Sequence, residues 1–302
     1  MRITNNMLIS NMLTALGNNE SRMSKYQNQL NTGKKIQLPS DDPIVAARAL
    51  KLRTDVSKIE QYQKNLGDAK SWVDATDDTL NQLGLVLKRA RELTVQASTA
   101  TYGSEDTQKI AEEINQLRTQ VIQISNTTYA GRYMFTGFKT DQKLIKDDGT
   151  YNKDVDNNEN ILFEIGVGDN ININVTGSAL FNNGSAAVEN QVPSMIKMFD
   201  DVIGFMNAGQ YAQTSSALDT FDSEINNLLK IRADIGARQN RLDLTEDRMS
   251  NDLVNMTDRM SKNEDADPAE TIMNLKMEEN VYQASLAGGA RIIQQTLVDF
   301  LR

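Results

Sequence analysis

The feature that most restricts the fold is a heptad seam of unusual length. Leu52, Ile59, Tyr62, Leu66, Ala69, Val73, Thr76, Leu80, Leu83, Leu87, Ala90 and Thr94 recur at intervals of three, four or seven, and no proline follows Pro43 in this stretch. A pattern sustained this far exceeds an ordinary globular helix and predicts a bundle or coiled coil. A second long seam reads Leu218, Phe221, Ile225, Leu228, Ile235, Leu242, Met249, Leu253, Met256 and Met260. Narrower stripes lie at the two ends. Ile9, Met12, Leu16, Met23, Tyr26 and Leu30 skip one position, held by Asn19, and Ile272, Leu275, Tyr282, Leu286, Ile293 and Phe300 run toward the last residues. Helices this narrowly apolar are marginal alone. Placed at opposite ends of the chain, they are expected to pair as an assembly element that orders on association.

Turn chemistry separates these segments. Gly33 stands where a left-handed helix stop is expected, and a connector over 34–41 contains Pro39. Asp42 can cap the next helix, with Pro43 at its first position. Tyr102-Gly103 breaks the long seam, and Ser104 can cap a third helix carrying Ile110, Ile114, Leu117, Val121 and Ile124. A turn so short predicts antiparallel neighbours. From about Tyr129, Gly and Asn become frequent and the period falls to two. Ile161–Val167 and Ile171–Val175 read as strands joined at Gly168-Asp169-Asn170, with another turn at Asp147-Asp148-Gly149. Helix returns at Pro193, is interrupted at Gly209, and restarts at Asp267-Pro268-Ala269-Glu270, a cap, a first-turn proline and a capping-box glutamate. The expected fold is mainly α: a long helical bundle or coiled-coil stem, paired N- and C-terminal helices, and a small β-rich insertion. The expected divisions are 1–42 with 265–302, 43–129 with 193–264, and 130–192.

Composition removes several functions. There is no Cys and no His among 302 residues, so disulfides, thiolate nucleophiles, imidazole bases and the common zinc sites are excluded. Lys and Arg number 32 against 41 Asp and Glu, a net charge of −9, which argues against a phosphate-tracking nucleic-acid binder. Asn, Ser and Thr interrupt the first 20 residues, unlike a secretory leader, and no window is apolar enough for membrane insertion.

Motifs that could carry chemistry do not complete themselves. Asp154-Val155-Asp156-Asn157-Asn158 starts like a calcium loop, but Glu159 and Ile165 stand where Gly and Glu are required. Gly166-Val167-Gly168 lacks a third glycine and is followed by a strand, so it reads as a hairpin turn. The carboxylate pairs Asp41/Asp42, Asp77/Asp78 and Asp200/Asp201 read as caps and solvated faces. No catalytic, cofactor-binding or metal-binding residue is expected. Lys88, Arg89, Arg91 and Glu92 form a mixed-charge patch that is either a solvated face or a lateral docking stripe. Met12, Met23, Met249, Met256 and Met260 fall on seams, where core packing is the default.

Several stretches resemble the bacterial flagellin superfamily. They are Leu30-Asn31-Thr32-Gly33-Lys34-Lys35-Ile36 with Ser40-Asp41-Asp42-Pro43, the run from Leu87 to Gln96, and the run from Arg232 to Leu242. Together they cover both helical arms. Asp42-Pro43, Gly131-Arg132-Tyr133-Met134-Phe135-Thr136-Gly137 and the ending from Ser285 to Leu301 are similar to the branch that joins hook to filament; the stretch after Thr140 matches no signature. The resemblance implies terminal helices paired in an inner coiled coil, a helical stem, and a β-rich outer domain. It also implies export without a cleaved signal peptide to the extracellular flagellum. The expected function is a structural adaptor layer between hook and filament. The alternatives are flagellin, the bulk filament subunit, or a cytosolic coiled-coil regulator or export chaperone. Expected partners are copies of itself in a ring or layer, the preceding hook-associated protein, flagellin and an export chaperone, with no nucleic acid and no membrane insertion. The assembly residues expected on the terminal helices are Met7, Leu16, Met23, Leu30, Ile272, Leu286, Ile293 and Phe300. Those expected for lateral stem contacts are Arg89, Glu92, Gln96, Arg232 and Asn240.

Overall fold

The computed structural model describes residues 5–99 and 104–299, with side-chain surroundings for 7–99 and 105–290. The expected break at Tyr102-Gly103 and the last seam residue Phe300 lie outside the described residues. The elements are α1 (Asn5–Thr32), α2 (Pro43–Ser98), α3 (Ser104–Ser125), β1 (Thr128–Tyr129), β2 (Arg132–Tyr133), β3 (Leu162–Gly166), β4 (Asp169–Asn172), α4 (Gly177–Phe181), α5 (Ser194–Asn207), α6 (Tyr211–Glu264) and α7 (Pro268–Asp299). The chain forms two compact units, one from 1–58 with 251–302 and one from 59–250.

The larger unit is organised by the α2 seam. Leu66, Ala69, Val73, Leu80, Leu83, Leu87, Ala90 and Thr94 are buried, and Trp72, Val86 and Leu93 widen the face by one stripe. A face this broad serves more than one neighbour. Its residues share one core with Ile110, Ile114 and Val121 of α3, Met195 and Phe199 of α5, and Phe221, Leu228, Ile235 and Leu242 of α6. Polar contacts set the register of α2 against α6. Arg91 pairs with Asp222 at 2.7 Å, Arg232 with Asp77 at 3.0 Å, and Lys70 with Asp243 at 2.7 Å and Glu246 at 2.9 Å. Gln239 donates to Asp74 at 2.9 Å. Numbers fall along α2 as they rise along α6, so the two run antiparallel. The exposed pairs contribute little stability individually; their repetition along both helices fixes one alignment. On the other side of α2, Arg89 reaches Glu113 of α3 at 2.7 Å. α3 in turn packs on α5, where Arg118 pairs with Asp200 at 2.6 Å.

The segment after α3 holds less sheet than the alternating pattern suggests. β1 pairs with β2, and β3 with β4, each as an antiparallel two-stranded ribbon. The hairpin turn is Val167-Gly168, with Gly168 at φ 72°. Asp169 and Asn170 therefore belong to β4, and a bulge lies between Glu164 and Gly166. The expected strand through Val175 ends at Asn172. Asparagines explain much of the difference, because their side chains satisfy backbone groups that a ladder would otherwise pair. The side-chain oxygen of Asn126 accepts from Leu144 N and Ile145 N, and its amide donates to Ile145 O. Asn174 accepts from Ile161 N and donates to Glu159 O. This irregular segment shares the stem's core. Trp72 meets Tyr129 edge-on at 5.7 Å, and Phe135 meets Phe181 at 6.0 Å.

Leu83 and Leu85 separate packing from composition on one helix, since Leu83 is buried and Leu85 is exposed. Leu83→Ala is expected to lower unfolding stability by about 2–5 kcal/mol, and Leu85→Ala by under about 0.5 kcal/mol. Urea denaturation of both variants checks this.

A second prediction concerns Glu224, a buried carboxylate of α6. Burial pushes it up to about 7 from 4.5, partly offset by a hydrogen bond from Asn183. A carboxyl raised on folding favours the native state most when protonated. Its contribution is complete below about pH 4.5 and lost as pH rises to about 7. Glu224→Gln should therefore gain stability relative to the parent chain between pH 4.5 and pH 8; an unchanged difference in urea midpoint across that range would refute the assignment.

Candidate assembly site on the terminal helix pair

The smaller unit pairs the two ends of the chain. Asn19 donates to Ser285 Oγ at 3.3 Å, and the Arg22 guanidinium is bidentate to Glu278 at 2.8 and 3.2 Å. The pairs run in opposite directions, so α1 and α7 are antiparallel. The α1 seam follows the sequence except at its end: Ile9, Met12, Leu16, Met23 and Tyr26 are half-buried, Asn19 is buried and Leu30 is exposed. The seam of α7 is different. It buries Thr271, Leu275, Glu278 and Gly289, with Tyr282 and Ser285 half-buried between them. A polar group on a coiled-coil seam gives up stability and specifies register. Here Arg22 also donates to Asn19, so Asn19, Arg22, Glu278 and Ser285 form one network that only this alignment satisfies. The carboxylate of Glu278 raises the Arg22 guanidinium. Near the far end of the pair, a Cβ on Gly289 would lie 1.8 Å from Met12 Cε and 2.6 Å from its sulfur. The missing side chain is the hole that Met12 fills.

The connectors are tied to one another. Gly33 at φ 69° stops α1. Its carbonyl accepts from Ala266 N at 2.8 Å, and Lys35 N donates to Glu264 O at 2.7 Å. The Glu264 side chain is buried, with Arg53 hydrogen-bonded to both its oxygens and Lys34 at 3.6 Å. Lys34 also holds Asp265 at 2.6 Å and, with Ser261, depresses its carboxyl. Both helix starts behave as their sequences predict. Asp42 Oδ1 accepts from Ile44 N and Val45 N at 3.0 Å, and Asp267 Oδ1 from Ala269 N at 2.8 Å.

Pairing leaves much apolar surface uncovered in this chain. Leu8 and Leu13 on α1 and Met273, Met277 and Val281 on α7 are exposed. Of the assembly residues expected from the sequence, Leu16 and Met23 lie on the α1–α7 seam. Met7, Leu30, Ile272 and Leu286 are exposed, at 56, 40, 47 and 45%. Ile293 belongs to α7, and its side chain lies outside the described residues, as does Phe300. Of the expected lateral residues, Arg89 pairs with Glu113 and with Glu92, and Arg232 with Asp77, all within the chain. Glu92, Gln96 and Asn240 are exposed. Sequence reading missed the Asn19–Arg22–Glu278–Ser285 network and the Gly289 hole. The skipped Asn19 was the one signal that pointed there.

The carboxylate pairs are structural in part: Asp41 accepts from Gln37 N and Leu38 N, Asp42 caps α2, and Asp77 and Asp200 are ion-paired. Among the described residues, no group of three acidic side chains could hold a metal ion, and no helix is long and apolar enough to cross a membrane.

Residues 3–140 match the bacterial flagellin N-terminal helical region, and residues 218–301 match the C-terminal helical region of the same family. The chain belongs to the flagellin family. The flagellin of Bacillus subtilis is 31% identical over 98% of this chain and 97% of its own length. Flagellar hook-associated protein 3 of Escherichia coli is 28% identical over 94% of this chain and 95% of its own. The fold is shared with Bacillus cereus FlgL, at 24% identity and TM-score 0.57 over 70% of this chain and 99% of that one. It is also shared with the flagellar junction protein FlgL of Legionella pneumophila, at 18% and 0.58 over 72% and 100%. The family matches cover α1, α2, α3, β1, β2, most of α6 and α7, and leave residues 141–217 unmatched. That unmatched stretch takes in most of the asparagine-rich segment for which the sequence offered no signature.

The Met12–Gly289 fit gives a compensation test for this flagellin-family helix pair. Gly289→Val should separate α1 from α7 at that level, and adding Met12→Ala should restore the pairing. Amide hydrogen exchange over residues 8–16 is the readout; equal exchange in the parent chain, the single variant and the double variant would overturn the packing described.

Proposed function

We propose that the chain is a structural adaptor of the bacterial flagellum, forming a short layer between hook and filament outside the cell. The observation that carries this reading is the set of apolar side chains that α7 leaves exposed outside its intramolecular seam, Ile272 and Leu286 on one flank and Val281, Met277 and Met273 on the other. Exposed apolar side chains gathered on one helix mark an interaction site. Burial in an assembly at about 25 cal/mol per Å² of apolar area would drive association, offset by the ordering it demands. Met7 and Leu30 on α1 are exposed as well, and Ile293 and Phe300 are proposed as assembly residues with them. Lateral contacts between stems are assigned to Glu92, Gln96 and Asn240, with Arg89 and Arg232 held in place by their internal partners. The terminal helices within 1–42 and 265–302 act as the assembly element, the helical arms of 43–129 and 193–264 as the stem, and 130–192 as the outer part.

The hook-associated reading is supported by the similarity to two proteins named flagellar hook-associated protein 3, that of Escherichia coli and that of Salmonella typhimurium. Asp42-Pro43 and the Gly131–Gly137 motif, present in the sequence, support it further. Its partners would be copies of itself, the preceding hook-associated protein and flagellin, with an export chaperone before assembly and no enzymatic activity. The 31% identity to Bacillus subtilis flagellin favours a second reading, the bulk filament subunit.

A seeding assay separates the two. Purified chain is added to isolated hooks carrying the preceding hook-associated protein and imaged by electron microscopy. The expected result is a short terminal layer that stops growing and then accepts flagellin. Growth into a long filament would establish the second reading, and absence of binding would refute both. Deletion of residues 1–30 is expected to abolish incorporation while leaving the 59–250 unit folded by circular dichroism.

A further inference from the structure

A cleft of about 500 Å³ opens between α5, the first turns of α6 and the turn at Asn183. It lies within the 59–250 unit and plays no part in the terminal pairing. Met198, Phe205 and Ala217 supply an apolar wall, and Lys197, Asp201 and Glu224 are its charged groups. Glu224 is the unusual member. It is only 4% exposed. One oxygen accepts from Asn183 Nδ2 at 2.7 Å, and the other, Oε2, is buried with no hydrogen-bond partner. The Tyr151 hydroxyl is likewise buried without a partner. Burial and then the nearby Glu224 charge raise this phenol, yet no hydrogen bond joins the two groups. No ion pair connects Lys197 to Glu224 among the described residues. With Glu224 ionised, one ammonium against two carboxylates leaves the cleft net negative.

A carboxylate oxygen without a partner, in the lining of a partly apolar opening, defines what is missing. A buried carboxylate oxygen without a donor is costly, and a donor that also carries positive charge offsets the most. We propose that this cleft binds a primary ammonium, either a free alkylamine or a lysine side chain presented by a second copy of the chain, with Glu224 as its charge partner. The ammonium donates to Glu224 Oε2, and its methylene stem lies on Met198 and Phe205. Asp201 at the rim adds attraction, and Lys197 limits the site to one cation. Binding requires the Glu224 carboxylate, so below its raised pKa of about 7 each ammonium expels the carboxyl proton to the buffer. Above that pH no proton is released.

Isothermal titration of the full chain with cadaverine tests this, using two buffers of different ionisation enthalpy at pH 6 and again at pH 9. The expected result is saturable binding with close to one proton released at pH 6 and almost none at pH 9. Glu224→Gln keeps the acceptor for Asn183 and removes the charge; it should weaken binding at least tenfold with an unchanged circular dichroism spectrum. Asp201→Asn should weaken it less. Tetramethylammonium, which has no N–H, should not compete. Absence of saturable heat, equal binding by the Glu224→Gln variant, or release without pH dependence would overturn the proposal. Sedimentation velocity separates the two sources of the cation. Self-association dissolved by saturating cadaverine assigns a lysine of the second copy, and self-association untouched by it assigns a free amine.

Discussion

The larger unit depends on the antiparallel contact of α2 with α6. α2 presents a face three stripes wide because Trp72, Val86 and Leu93 flank the buried seam. That width lets one helix serve α3 and α6 together. Apolar packing supplies most of the stabilisation, since the pairs that cross the contact are largely solvent-exposed. Their role is alignment. A heptad seam of Leu, Val and Ala tolerates a slip of seven residues, whereas Arg91 on Asp222, Arg232 on Asp77 and Lys70 on Asp243 would all be lost by one. The irregular segment 128–192 can do without extensive sheet because it closes on this prepared surface, through Trp72 on Tyr129 and through residues shared with the stem's core.

The terminal pair follows another rule. Its seam on α7 is built from Thr, Leu, Glu, Tyr, Ser and Gly. Fit and hydrogen bonding select the partner there, while most of the helix's exposed apolar side chains lie on its flanks and back. A helix meant only for α1 would place those side chains inward. Dividing the two tasks between the seam and the rest of its surface lets α7 hold α1 by a satisfied polar network and still offer apolar surface to another chain.

Much of this was legible in the sequence wherever a single residue type has one dominant local use. Asp42-Pro43 and Asp267-Pro268 gave helix starts at the residue, and Gly33 gave a stop. The long seams gave α2 and α6 with their buried faces. The failures share a cause. Periodicity reports where apolar residues lie, not which of them meet within the same chain, so Ile272 and Leu286 stood out while Thr271, Glu278 and Gly289 did not. Alternation likewise suggested more strand than forms, because it cannot foresee an asparagine such as Asn126 or Asn174 taking backbone bonds from a ladder. The charged patch at Lys88–Glu92 was read as one surface, yet Arg89 turns to α3 and Arg91 to α6.

The contacts of Arg22 with Glu278 and of Asn19 with Ser285 join residues more than 250 positions apart. Closing such a loop costs entropy before any contact rewards it, although the cost grows slowly with length. Among the side-chain contacts described, the terminal pair therefore carries the longest loop closures. No residue of α1 or α7 belongs to the core around Leu83 and Phe221, so opening the pair takes no member from that core.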